Sequence, residues 1–249
     1  MISFYIKSME NKALPLIDTK LKIQQLQRAA KNFEAHSFLF RHMEEELSVR
    51  LKNIKKNFET TLNISFWPIA LEGIGDFPPH SPFENLPDQK YDLIVSCLSL
   101  HWVEHLPQYL RLLREHLKDD GLFMGTFFAG DTLIELRNSF LKADSETYGG
   151  AYLRILPMAR HEDGPQLMSY AGFHEPVIDF NQVTVDYSNL KQLLIDLRMM
   201  GESNALSERK MTPELPNFYK NVEKHYRVDY EWNQKLPTTF EFLTLTGWK

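Results

Sequence analysis

Cysteine is almost missing from this chain. Cys97 stands alone in 249 residues, so no internal disulfide and no cysteine-based zinc site can form. Glycine is scarce too, with eleven residues against an average usage of about 7%. A loop that cradles a nucleotide needs glycines at fixed places, so few stretches can supply one. Positive charge is in deficit: 28 Lys and Arg face 33 Asp and Glu, a formal net charge of −5. That balance excludes a dedicated nucleic-acid binder, whose affinity comes mainly from neutralised phosphates. Long hydrophobic runs are absent as well. The longest near-apolar stretch, residues 121–130, is about half of the ~20 residues that a membrane-spanning helix needs. At the N-terminus Lys7, Glu10 and Lys12 interrupt the apolar residues, no small-residue cleavage site follows, and no arginine precedes Arg28. Neither a signal peptide nor a transit peptide is expected. The expected location is cytoplasmic in a bacterium, or the mitochondrial matrix in a eukaryote.

What the chain does have is core-forming material, 43% apolar and 12% aromatic, enough for one large domain. Residues 20–57 place Leu21, Leu26, Ala29, Phe33, Leu39, Met43, Leu47 and Leu51 at three- and four-residue steps, which predicts helix with a break near His36-Ser37. Residues 60–67 read as a short strand. Five prolines then fall within residues 68–90, predicting loop with little room for helix. From Tyr91 a regular alternation begins. Residues 91–98 form a near-continuous apolar strand, as expected of one covered on both faces. Residues 106–117 form an amphipathic helix and 122–128 a second buried strand, a parallel βαβ unit. Helices are predicted at 132–143, capped by Asp131 or Thr132, and at 166–171, 190–200 and 214–226. Strands are predicted at 177–185 and 240–246. The division expected is an N-terminal helical segment, 1–57, on an α/β region, 58–249, with C-terminal helical insertions, all in one structural domain.

Several motifs in this order resemble a known family. Tyr91-Asp92-Leu93-Ile94-Val95-Ser96 followed by Leu98-Ser99-Leu100-His101-Trp102-Val103 is similar to the fourth strand and following turn of class I S-adenosylmethionine-dependent methyltransferases, type 11. Leu106-Pro107, Asp120-Gly121, Gly130-Asp131-Thr132-Leu133 and the N-terminal Arg28-Ala29-Ala30 with Phe33 and His36 sharpen the resemblance to two branches. These are the malonyl-acyl-carrier-protein methyltransferases of biotin synthesis and the complex I assembly factors associated with arginine hydroxylation. Met200-Gly201-Glu202-Ser203-Asn204-Ala205 and the terminal Gly247-Trp248-Lys249 look more like the second branch. The resemblance implies a Rossmann-like, mostly parallel α/β sheet under an N-terminal helical lid, with S-adenosylmethionine as cofactor. It implies either a small-molecule or carrier-bound acyl substrate, or a respiratory-complex subunit as partner. It places Ser96, Leu98 and Ser99 on the cofactor's adenine and methyl side, and Glu84 in the acidic stretch that lines the adenine.

Half of the family's cofactor site is not visible in the sequence. Its glycine-rich turn follows the first strand, and an acidic residue ends the second. Here only residues 68–90 separate the first candidate strand from the strand at Tyr91, too few for two crossovers when one βαβ unit takes ~30 residues. The fold is therefore expected to lack part of its N-terminal half. The nearest substitute is Glu72-Gly73-Ile74-Gly75-Asp76, read either as a relocated cofactor turn through Gly73, Gly75 and Asp76 or as an ordinary glycine–proline loop. His101 and Trp102, just past a strand's C-terminal end where open α/β sheets bind ligands, are the catalytic candidates. The histidine would polarise a substrate carboxylate and the tryptophan would wall the sulfonium; alternatively they are a cap and a packing residue. His101-x-x-x-His105 and His161-x-Asp163 carry metal-ligand spacings without a fixed third ligand, so no metal is expected. Gly201–Asn204 reads as a polar turn at a substrate mouth or a plain helix stop. Arg111, Arg114 and Arg137 read as a carrier-protein contact or a solvated face. Two function classes stay open: methyl transfer to a carboxylate or carrier-bound acyl group, and a catalytically degenerate assembly protein that binds a partner without cofactor.

Overall fold

The computed structural model describes residues 15–249; most of the segment read above for leader signals lies outside them. Three helices come first among the described residues: α1 (Thr19–Ala29), α2 (Phe33–His36) and α3 (Phe38–Lys52). Asp18 caps α1 by accepting from the Leu21 N–H at 3.0 Å. The predicted break near His36-Ser37 falls between α2 and α3. Strand β1 (Thr61–Ile64) follows, then β2 (Ile69–Leu71), β3 (Gly75–Phe77) and β4 (Pro79–His80). The expected loop at 68–90 thus holds a small antiparallel hairpin, β2–β3, and an edge strand, β4. It contains no helix.

The rest alternates as its periodicities predict. Strand β5 (Tyr91–Cys97) leads through a short 3-10 turn (Leu100–Trp102) to helix α4 (Leu106–Glu115) and strand β6 (Leu117–Ala129). Then come α5 (Ile134–Tyr148), α6 (Gly164–Ala171), β7 (His174–Tyr187), α7 (Leu190–Met199), α8 (Phe218–Tyr230) and β8 (Leu236–Trp248). The six-stranded sheet runs β4-β1-β5-β6-β8-β7. The pairs β4–β1, β1–β5 and β5–β6 are parallel, whereas β6–β8 and β7–β8 are antiparallel. Together they make a mostly parallel central sheet with flanking helices, a class I Rossmann-like architecture in which, among the described residues, only short β1 and β4 lie beyond β5.

The side-chain alternation of β5 explains its near-continuous apolar run. Leu93 and Val95 pack with Phe33, Leu39, Met43 and Leu47 on one face. Ile94 packs with Leu110, Leu113 and Phe123 on the other. Both faces are covered, so polar residues do not alternate along the strand; Asp92 at its start bonds Thr60 and Lys118, and Ser96 bonds the Ile64 carbonyl. One cap differs from expectation. Helix α5 starts at Ile134 behind Leu133, which sits in the left-handed region (φ 60°) with no side-chain cap. Thr132 is not free to cap, because its hydroxyl bonds the Ala129 and Glu241 carbonyls and accepts from the Glu241 N–H. It ties the end of β6 to β8 instead.

Candidate functional site

The site is built where β5 stops. Leu98 has φ of 45°, a conformation rare for a branched side chain, and it turns the chain sharply while fully buried. Its N–H still bonds Thr126 at 2.8 Å. The Ser99 hydroxyl holds the far side of the turn, donating to the Cys97 carbonyl and accepting from the Phe66 N–H. The 3-10 turn that follows carries His101 and Trp102 to a carboxylate from the other end of the sequence.

That carboxylate is Glu202, the residue after the stop of α7 at Gly201, where φ is 83°. Its Oε2 accepts from His101 Nε2 at 3.0 Å and from Trp102 Nε1 at 2.9 Å. Its Oε1 meets Lys22 Nζ at 3.3 Å. Lys22 comes from α1, has no exposed surface, donates to the Gly201 carbonyl at 2.7 Å and lies 3.6 Å from the centre of the Trp102 ring. Four side chains from three parts of the chain thus share one buried charge pair. Burial works against the Glu202 charge, but the Lys22 ammonium, the His101 ring and the two N–H donors outweigh it and hold the carboxyl at about 2. Burial also draws Lys22 down to about 8, against the pull of Glu202, and lowers His101 further than Glu202 can restore. A neutral His101 donating from Nε2 leaves Nδ1 bare. That atom is buried without a hydrogen-bond partner, and the ring packs edge-on against Phe128 at 5.1 Å.

Beside this network lies a cavity of about 280 Å³, close to the ~300 Å³ at which small-molecule sites begin. Its wall is apolar through Phe128, Leu136, Phe140, Ile155, Met158 and Phe240, and Trp102, Glu202, Ser203, Asn204, Arg154 and Arg198 supply polar edges. Residues 149–160, an irregular span after α5, close one side. Arg154 pins that span: it grips Asp144 with Nε at 2.7 Å and Nη2 at 2.5 Å, reaches Glu214 at 2.9 Å, and lies 4.3 Å over the Phe218 ring.

Of the residues singled out from sequence, Trp102 lines this cavity and His101 stands behind it. Ser96, Leu98 and Ser99 do not reach it. Each is fully buried, and the Ser96 hydroxyl is spent on the Ile64 carbonyl of β1 at 2.5 Å. Gly73, Gly75 and Asp76 lie in the β2–β3 hairpin, where Asp76 pairs with Ala70, and no helix follows them to offer its N-terminus. Glu84 is exposed and 3.8 Å from His80. His161 pairs with Glu162 instead of a metal-ligand partner, and among the described residues no three metal-ligating side chains gather. Sequence reasoning missed Lys22, in a largely polar helix, and Arg154, in the apolar run 151–158; neither carries a local signal.

A family model described as "Methyltransferase domain" matches residues 25–173. The chain belongs to that methyltransferase family. It is 35% identical over 167 residues to the mitochondrial arginine-hydroxylase NDUFAF5 of Rattus norvegicus, covering 67% of this chain and 49% of that protein. The human NDUFAF5 is 35% identical over 162 residues, 65% of this chain and 47% of that one. The malonyl-[acyl-carrier protein] O-methyltransferase of Xylella fastidiosa is 32% identical over 161 residues, 65% and 52%. The chain spans about half the length of these relatives. In architecture it is similar to a solved structure from Bacillus halodurans (TM-score 0.51, 8% identity, 82% of this chain and 97% of that one). It is also similar to the YcgJ protein of Bacillus subtilis (TM-score 0.50, 11% identity, 84% and 98%). At such identities the likeness shows the fold.

S-adenosylmethionine is the cofactor of this family. Its place in a Rossmann-like sheet is the crevice beyond the C-terminal ends of the parallel strands, here β1 and β5. In this chain the crevice is filled. Trp67 stacks on Phe33 with ring centres 3.9 Å apart, and the space left beside them and Cys97 is about 10 Å³, room for one water at most. The serines at the strand end are bonded inward. As arranged, these residues do not fit the cofactor; admitting it requires Trp67 to leave Phe33.

Proposed function

We propose that this chain is an acceptor-binding member of the S-adenosylmethionine-dependent methyltransferase family, taking a carboxylate or carrier-bound acyl group into the cavity beside Trp102. The observation that carries this reading is the cavity itself: an apolar chamber at the C-terminal end of β5 and β6, edged by Trp102, Asn204 and the exposed Arg198. The apolar wall suits an acyl chain, and Arg198, which has no ion pair among the described residues, suits a carboxylate. Glu202, held by Lys22, His101 and Trp102, fixes the Trp102 wall of the chamber.

A second reading is an assembly-type protein that binds a partner without the cofactor, as a respiratory-complex factor in the mitochondrial matrix. The filled crevice at Trp67 and Phe33 favours it, as does the similarity to NDUFAF5. The two readings separate in one titration series. Tryptophan fluorescence with hexanoate and a malonyl thioester tests the cavity, and calorimetry with S-adenosylhomocysteine, alone and with the acyl ligand present, tests the donor side. Acyl binding that strengthens S-adenosylhomocysteine binding supports methyl transfer. Acyl binding with no effect on it supports the assembly reading. No acyl binding at all removes the first.

A further inference from the structure

A second cavity, of about 300 Å³, adjoins the first and shares Phe140, Arg154, Ile155 and Met158 with it. Its remaining wall differs in charge. Arg137 from α5 and Arg160 from the irregular span both line it, together with a single carboxylate, Asp131. Arg154 is committed to Asp144 and Glu214. Among the described residues Arg137 makes one side-chain bond, at 3.4 Å to the Thr132 carbonyl, and no ion pair. Arg160 is exposed and has no side-chain ion pair among the described residues, since the Asp163 carboxylate accepts from its backbone N–H instead. Two uncommitted guanidinium groups therefore face one concave space whose floor is apolar. Arginine's planar fork matches phosphate oxygens two at a time, and two forks outweigh the one opposing carboxylate.

We propose that this second cavity binds the phosphate of a phosphorylated amphiphile whose apolar part runs past Arg154 into the first cavity. The shared walls make the two chambers one elongated site: an apolar inner part for the chain, a cationic outer part for the dianion. The apolar half of this assignment rests on the acyl-binding reading above, whereas the phosphate half rests on Arg137 and Arg160 alone.

The test compares hexyl phosphate, hexanoate, hexanol and inorganic phosphate on the full chain by calorimetry, in wild type and in Arg137→Gln and Arg160→Gln. Arg160 is exposed and Arg137 half-buried, so the circular dichroism and Tm of each variant are read first, and Arg160→Gln carries the test should Arg137→Gln unfold. The expected result is hexyl phosphate binding about tenfold tighter than hexanol, the strength of a charge-assisted hydrogen bond or two. Each substitution removes most of that advantage and leaves hexanol unchanged. Equal affinity for hexyl phosphate and hexanol in the wild type overturns the phosphate site while leaving the acyl reading standing. Inorganic phosphate binding as tightly as hexyl phosphate overturns the amphiphile. Failure of every probe overturns both.

Discussion

Replacing Glu202 with glutamine keeps the side chain's shape and removes the one anion at the centre of the site. The structure sets the size of the effect in two ways. Lys22 is fully buried and Glu202 is 6% exposed, and breaking a buried pair by removing one partner costs about 3–5 kcal/mol. Independently, lowering a carboxyl from its ordinary 4.5 to about 2 in the folded state corresponds to about 3 kcal/mol at 1.36 kcal/mol per pH unit. The two agree. A folded-state value below the unfolded one means the stabilisation is fully present above pH 4.5 and is lost as pH falls towards 2. Glu202→Gln should therefore be destabilised by about 3 kcal/mol at pH 7, a fall in Tm of roughly 6–12 °C for a chain of this size. The gap to wild type should close progressively below pH 4.5. Urea unfolding followed by tryptophan fluorescence at pH 7, 5, 4 and 3 reads both quantities. A difference below 1 kcal/mol at pH 7, or one that stays constant down to pH 3, would show that the Glu202 charge does not hold this network together.

Other substitutions probe other parts of the account. Arg154→Met leaves Asp144, whose side chain has no exposed surface, without its cation; a loss of about 3 kcal/mol in urea unfolding is expected, together with weaker hexanoate binding as residues 149–160 loosen. Glu175 is exposed with φ of 46°, so Glu175→Gly should raise stability by up to about 1 kcal/mol by relieving the left-handed conformation, and a lowered Tm would contradict it. Gly201 combines φ of 83° with a Leu26 methyl 2.8 Å from where a Cβ would stand. Gly201→Ala should cost about 1–3 kcal/mol and shift Glu202 enough to change the Trp102 emission; an unchanged spectrum and Tm would show that the turn tolerates a side chain.

Which parts of this molecule could be read from sequence follows from how local their causes are. Strand β5 is legible because burial on both faces leaves a near-continuous apolar run, and α4 because Leu106, Leu110 and Leu113 are buried on one stripe. The same holds for Gly172, which ends α6 with φ of 81°. The cap of α5 was not legible, since the partner that takes the Thr132 hydroxyl, Glu241, lies 109 residues away. Lys22 and Glu202 are 180 residues apart. Lys22 sits in a helix that reads as polar on most sides, and nothing local marks it as buried. The shortage of residues between β1 and β5 was plain from counting alone. That a stacked Trp67 and Phe33 fill the resulting gap is a packing fact that no motif encodes.

The acceptor side of the site, beside Trp102, is open, while the crevice at β1 and β5 is filled. Calorimetric titration of the folded chain with S-adenosylhomocysteine tests this most directly. The closed Trp67–Phe33 stack predicts no saturation below about 1 mM, a binding free energy no better than about −4 kcal/mol. Saturable binding at micromolar concentration by the wild-type chain would contradict it, and would mean that the crevice opens in solution and the donor side is intact.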